Sequence, residues 1–329
     1  MTERENRPPV DHLTLLEESL RRDHAKRVSS IEVPCVFLLG SPRTGSTLLY
    51  QFLINHFAFH YPTNLFNDNF CDTPVAGACL EGGMAGQASV PYESRYGKTE
   101  GPWGPSEASC FFKRWFGGEH PSETCSKEPL PDMENLMVET FAALHSLSGN
   151  PLLFKNAWNC YRVKALARLF PASSFVWIRR DVAQAARSDL EARARRGGYE
   201  IWNSATPSNY MEIRERPYWE QVVEQQYEYG RRIETDFASS CPERSVQVWY
   251  EDLCGQPEQV LQTLDDFFLG QGMEVVRREP DFAFAPSLRK RNLESDEEGR
   301  RILEYLNSMT DDRLSSFRRV DENASVDNS

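Results

Sequence analysis

Several residue clusters that define functional classes are missing from this sequence. The eight cysteines (Cys35, Cys71, Cys79, Cys110, Cys125, Cys160, Cys241, Cys254) are scattered with no Cys-x-x-Cys pair, and only six histidines accompany them. No metal-ligand set can be read from that spacing, so no metal is expected. Residues 1–9 contain no apolar core, and a secretory signal is not expected there. No apolar run approaches the ~20 residues that cross a bilayer, so no transmembrane segment is expected either. These absences together predict a soluble cytoplasmic protein with reduced cysteines. Positive charge is also short: 37 Lys and Arg against 49 Asp and Glu give a net charge of −12. That balance speaks against non-specific nucleic-acid binding, which depends on neutralising phosphates. There is no internal repeat, and no feature specifies an oligomeric state.

Against this acidic background three basic clusters stand out: Arg179-Arg180, Arg193-Ala194-Arg195-Arg196 and Arg289-Lys290-Arg291. Basic islands in an acidic chain indicate a focused anion site rather than a polyanion-binding face. Arg193 to Arg196 read, on their own, as a solvated helix face. Four short apolar runs read as strands: 33–39, 151–155, 174–178 and 245–250. The first is continuous and ends on Gly40, as a buried parallel strand does. Helical periodicity follows at 48–57, 129–147, 161–170, 182–190, 218–237, 257–268 and 296–309. Strands alternating with helices predict an α/β fold with a parallel central sheet and helices on both faces. Residues 1–30 read as a peripheral helical extension and 31–319 as a single domain. The segment 60–128, rich in Gly, Pro, Ser and aromatics such as Tyr92, Tyr96, Trp103, Phe111, Phe112, Trp115 and Phe116, reads as an irregular insertion that forms either an acceptor pocket or lid packing. Residues 320–329 read as a flexible tail.

The first strand runs into Gly40-Ser41-Pro42-Arg43-Thr44-Gly45-Ser46-Thr47, and a helix follows. A glycine-rich turn opening a helix offers backbone N–H groups and the positive end of the helix dipole to an anion. Gly40 and Gly45 have the spacing of the triphosphate loop Gly-x-x-x-x-Gly-Lys-[Ser/Thr], but Ser46 stands where the lysine belongs. Without that lysine, ATP or GTP chemistry loses the cation that neutralises the outer phosphates. The cation inside this loop is Arg43, whose planar fork suits a phosphate or sulfate.

With the loop so read, Ser41 to Leu49 resembles the 5′-phosphosulfate loop of sulfotransferases that use 3′-phosphoadenosine 5′-phosphosulfate (PAPS). A second block resembles that family independently: Phe170-Pro171, then Phe175 to Asp181, with Ser188 standing eight positions after Arg180. In the family this block holds the donor's 3′-phosphate. Val182 departs from the family's usual proline. Leu153-Phe154-Lys155-Asn156 resembles the strand whose lysine faces the transferring group, and Tyr250-Glu251-Asp252-Leu253 resembles a segment read as structural. Arg289-Lys290-Arg291 resembles a basic clamp on the 3′-phosphate, without the glycine that usually follows. The resemblance spans roughly 33–291 and implies a three-layer fold like that of P-loop nucleotide hydrolases.

The resemblance implies PAPS as donor, adenosine 3′,5′-bisphosphate as product, no required metal, and transfer to a hydroxyl or amine of a small-molecule or glycan acceptor. Arg43 and Lys155 are the expected electrostatic groups. Donor contacts are expected from Arg43, Thr44, Gly45, Ser46, Thr47, Arg180, Ser188, Arg289 and Lys290. No histidine follows Lys155, so Glu107, in Gly104-Pro105-Ser106-Glu107, is the first candidate for the base, with His60 and Asp68 behind it. Two other readings remain: a P-loop kinase or nucleotide hydrolase, and a non-catalytic protein that binds an adenosine bisphosphate.

Overall fold

The structure, a computed structural model, describes residues 11–80, 89–94, 97–117, 127–202, 204–315 and 317. The first ten residues, Tyr96, Cys125 and the expected tail at 320–329 lie outside them. The elements in chain order begin α1 (His12–Ala25), β1 (Cys35–Leu39), α2 (Ser46–His56), α3 (Asn64–Asn69), α4 (Pro74–Leu80), α5 (Ser109–Phe116) and α6 (Met133–Ser148). There follow β2 (Leu152–Lys155), α7 (Val163–Leu169), β3 (Ser174–Arg179), α8 (Val182–Arg195), α9 (Tyr210–Ile213) and α10 (Tyr218–Ser240). The chain closes with β4 (Ser245–Trp249), α11 (Tyr250–Gly255), α12 (Pro257–Gly270), α13 (Glu297–Ser308) and α14 (Asp311–Ser315).

The four strands pair in the order β2-β1-β3-β4, all parallel. Every residue of β1 is buried, because alternate side chains enter two different cores. Cys35, Phe37 and Leu39 join Phe154, Phe175 and Trp177 under α5, α6, α7 and α10. Val36 and Leu38 join Leu153, Val176 and Ile178 under α2 and α12. This two-sided burial is why the strand reads as an unbroken apolar run, and it gives the expected three-layer α/β fold. The chain leaves β1 toward β2 on one side, while β3 pairs on the other. The carboxyl ends of β1 and β3 therefore flank a topological switch point, where open α/β sheets form their crevices.

Two sequence expectations need correction. Helix α1 is largely exposed, as a peripheral element is, and packs on α6 and α4, where buried Glu17 accepts a hydrogen bond from the Ala76 N–H at 2.7 Å, near the start of α4. The segment 60–128 is not irregular throughout, since it contains α3, α4 and α5. Its aromatics Phe111, Phe112, Trp115 and Phe116 are core residues, with Phe111 stacked on Phe154 at 5.7 Å. The cysteines are not all reduced: Cys71, just past α3, is disulfide-bonded to Cys110 of α5, their Cα atoms 5.7 Å apart. The loop between α3 and α5 doubles back, so two cysteines distant in sequence meet. Among the described residues, no helix is long and apolar enough to cross a membrane.

Candidate functional site

The switch point opens into a cavity of ≈ 1110 Å³. Its floor is the loop between β1 and α2. The loop is held by contacts a sequence alone does not show. Ser41 Oγ donates to Gln226 Oε1 of α10, and Gln226 Nε2 donates back to the Pro42 carbonyl at 2.9 Å. Thr44 Oγ1 closes the turn onto the Ser41 carbonyl at 2.7 Å. Arg43 itself adopts a left-handed backbone, φ 69°, a conformation unfavourable for a side-chain-bearing residue and commonest where function requires it. Gly45 follows at φ 95° and is the N-cap of α2. A Cβ there would lie 2.5 Å from Tyr250 Cδ2. We expect Gly45→Ala to destabilise the protein by about 2 kcal/mol or more, combining left-handed strain with this clash. Urea unfolding measures it, and an unchanged midpoint would show that the loop relaxes freely. Thr44 N–H turns inward to the Ser41 carbonyl at 3.4 Å. The amides of Gly45, Ser46 and Thr47 stand at the helix start, where amides have no intrahelical acceptor.

The residues expected around a second anion gather on the same loop. Arg43 Nε donates to Ser188 Oγ at 3.2 Å, and Arg180 Nη1 donates to the Arg43 carbonyl at 3.0 Å. Arg180 sits at the end of β3, its guanidinium 4.4 Å above the Tyr250 ring, and its Nη2 donates to the Arg289 carbonyl at 2.7 Å. Arg180 Nε is buried and has no hydrogen-bond acceptor among the described residues. Burial lowers the pKa values of Arg43 and Arg180 from the usual guanidinium range, though both remain cations at neutral pH. The segment 285–291 closes this side of the cavity. Gln184 of α8 secures it by accepting from Arg291 N at 2.8 Å and donating to the Arg291 carbonyl at 2.9 Å. Arg289 lines the cavity, whereas Lys290 is exposed and is not among the lining residues.

At the other end of the loop, Lys155 on the last position of β2 donates to Thr47 Oγ1 at 3.3 Å and is ion-paired with Glu107. Glu107 is fixed in turn by Asn156, whose Nδ2 donates to the Glu107 carbonyl at 2.9 Å. Both charged groups line the cavity. The two reserve candidates for the base do not. His60 is buried beside β2, and burial pushes its imidazole down to about 4. Asp68 lies on α3, within hydrogen-bond reach of its neighbour Asn67, and neither residue lines the cavity.

Arg193 also departs from its expected place on a solvated helix face. It is fully buried, paired with Asp189 at 3.3 Å, and donates to Gln221 at 2.8 Å and Gln225 at 3.2 Å. Tyr250, Glu191 and Trp202 also line the cavity, and Gln184 braces segment 285–291 behind it; the sequence reading named none of the four as site residues. Tyr250 had a usable signal: it directly follows a parallel strand, at the sheet end where ligands bind.

The sequence matches the model of the sulfotransferase family over residues 34–271. No curated protein sequence matches significantly. Among solved structures, a sulfotransferase of Mycobacterium avium is 15% identical over 88% of this chain and 72% of its own, with a TM-score of 0.47. One from Alicyclobacillus acidocaldarius is 13% identical over 86% and 94%, with a TM-score of 0.44. The sulfotransferase domain of the curacin biosynthetic pathway is 16% identical over 83% and 97%, with a TM-score of 0.38. These are remote likenesses.

Proposed function

Since the chain belongs to the sulfotransferase family, we propose that it transfers a sulfuryl group from PAPS to a hydroxyl or amine of a small-molecule or glycan acceptor, leaving adenosine 3′,5′-bisphosphate. The observation that carries the donor assignment is the meeting of two anion-binding groups in one cavity. The lysine-free loop at 43–47 and the set Arg180, Ser188 and Arg289 share its wall, joined by the Arg43–Ser188 hydrogen bond. PAPS carries a phosphate for each.

In this reading Arg43, Lys155 and the amides of Gly45 to Thr47 stabilise charge on the oxygens around the transferring sulfur. Positioning of the acceptor in line does the rest. Glu107 takes the acceptor's proton. It lines the cavity at the end of β2, ion-paired with Lys155, so its carboxylate stands beside the ammonium assigned to the transferring group. Lys155 lies between Thr47 and Glu107, so the same ammonium bridges donor and acceptor sides. Glu107→Gln keeps size and hydrogen bonding but removes the base, and should lower kcat by about a hundredfold or more. Its affinity for adenosine 3′,5′-bisphosphate should be unchanged. Wild-type kcat in this variant would exclude Glu107 as the base.

Transfer itself is tested with radiolabelled PAPS and a panel of phenols, alcohols, amines and sugars. Label appearing on an acceptor supports the reading. Tight binding of the bisphosphate with no transfer to any acceptor class would favour a non-catalytic nucleotide-binding role.

A further inference from the structure

A cavity of ≈ 1110 Å³ lies just above the ~300–1,000 Å³ range of single-ligand pockets. It has room for two. On the donor assignment above, which this inference assumes, Arg43, Arg180 and Arg289 are taken by the nucleotide. What remains is the wall at Gln51, Tyr92 and Lys98 and a lobe beyond Ser188. Ser188, Glu191, Ala192 and Arg195 all line the cavity, and their spacing puts them on one face of α8. That face carries the cavity ~10 Å along the helix from Ser188 to Arg195. Trp202 lines the cavity as well.

Trp202 is held as a rigid wall. The fully buried guanidinium of Arg193 lies 4.1 Å from its ring centroid, and Tyr210 meets it edge-on at 5.1 Å. Arg193 also donates to the Tyr199 carbonyl at 3.3 Å, while Gln225 and Tyr229 donate to the Ala205 carbonyl at 3.1 and 2.8 Å. Both flanks of the tryptophan are thereby tied to α8 and α10. Such support preorganises an aromatic surface for stacking. The charge around it is positive. Glu191 pairs with both Arg195 and Arg291, so two guanidiniums share one carboxylate. Arg196 lines the same lobe, and no ion pair of Arg196 is present among the described residues. Lys98 adds a further cation on the cavity wall.

We propose that this lobe receives the far end of the acceptor, whose hydroxyl or amine reaches Glu107 through the same cavity, and that the acceptor is a ring compound bearing a negative charge, the ring lying on Trp202 and the anion beside Arg195 and Arg196. An aromatic acid and an acidic sugar share this chemistry, and matched probes separate them. The experiment is calorimetry on the full chain, with and without saturating adenosine 3′,5′-bisphosphate. The probes are p-hydroxyphenylacetate against tyrosol, and methyl glucuronide against methyl glucoside. At least one anionic probe should bind about tenfold more tightly than its neutral twin, the worth of one charge-assisted hydrogen-bonded pair. The double variant R195Q/R196Q should abolish that preference. Trp202→Ala should weaken both members of the preferred pair and leave bisphosphate affinity unchanged. Preference in the phenol pair assigns an aromatic acid, and preference in the sugar pair an acidic sugar.

Absence of anion preference in both pairs overturns the proposal, as does a preference that survives the double variant. A fall in bisphosphate affinity in Trp202→Ala also overturns it, because the indole would then serve the donor's adenine. A chain that fails to bind the bisphosphate yet still prefers the anionic probes would overturn the donor assignment and keep the ligand class of this lobe.

Discussion

Arg43→Ala is expected to lower kcat/KM by about 30- to 1000-fold, equivalent to ~2–4 kcal/mol of transition-state stabilisation. Arg43 is the cation inside a loop that lacks the usual lysine, and its side chain already reaches Ser188 across the cavity. Its removal takes away both a charge and a forked donor, and it separates the two groups of anion contacts. The loop's own bracing does not depend on this side chain, since Gln226 and Thr44 hold the turn. The unfolding midpoint should therefore stay close to that of the wild type while turnover collapses. Arg43→Lys should recover part of the loss, because it restores the charge without the planar fork. Near-normal turnover in Arg43→Ala would remove the residue from the mechanism.

The largest effect on stability is expected from Arg193→Ala, a loss of ~3–5 kcal/mol. Arg193 and Asp189 have fully buried side chains. Deleting the guanidinium leaves the Asp189 carboxylate inside the protein without that counter-charge. Gln221 and Gln225 lose a donor, and Trp202 loses its support. A surface pair of the same i, i+4 spacing gives the contrast: Glu297→Gln, which breaks the exposed Arg301–Glu297 pair on α13 and leaves Arg301 against Trp219, should change stability by ~0.5 kcal/mol or less. Urea denaturation of both variants measures the difference. Equal, small effects would mean that Asp189 is neutralised in some other way.

These two arginines also mark how far the sequence could be read. Arg43 was legible because its setting is local: an apolar strand, a glycine turn and a helix in immediate succession. The central strand β1 was legible for the same reason, as two-sided burial in a parallel sheet leaves an apolar run with no polar interruption, whereas the edge strand β4 carries the exposed Gln247. Arg193 was not legible. It sits in Arg193-Ala194-Arg195-Arg196, where composition says solvent, and only the packing of α10 and the return of Trp202 make its position interior. The insertion failed differently. Helix α3, Asn64-Leu65-Phe66-Asn67-Asp68-Asn69, is built largely of weak helix formers, and α4 has only seven residues, too short for a 3.6-residue period to register. The Cys71–Cys110 disulfide depends on the chain doubling back between α3 and α5, which no spacing rule encodes. Within the site, Glu107 and Lys155 were each named separately, but their direct pairing follows from Asn156 drawing the 107 segment against the end of β2.

The central claim is the identity of the donor, and titration calorimetry against two nucleotides tests it most directly. Adenosine 3′,5′-bisphosphate should bind the full chain in metal-free buffer, more tightly than ATP binds with Mg²⁺. Arg180→Ala should erase most of that preference, because it removes a guanidinium from the second set of anion contacts. Tighter binding of ATP with Mg²⁺ than of the bisphosphate would contradict the account and return the loop to triphosphate chemistry.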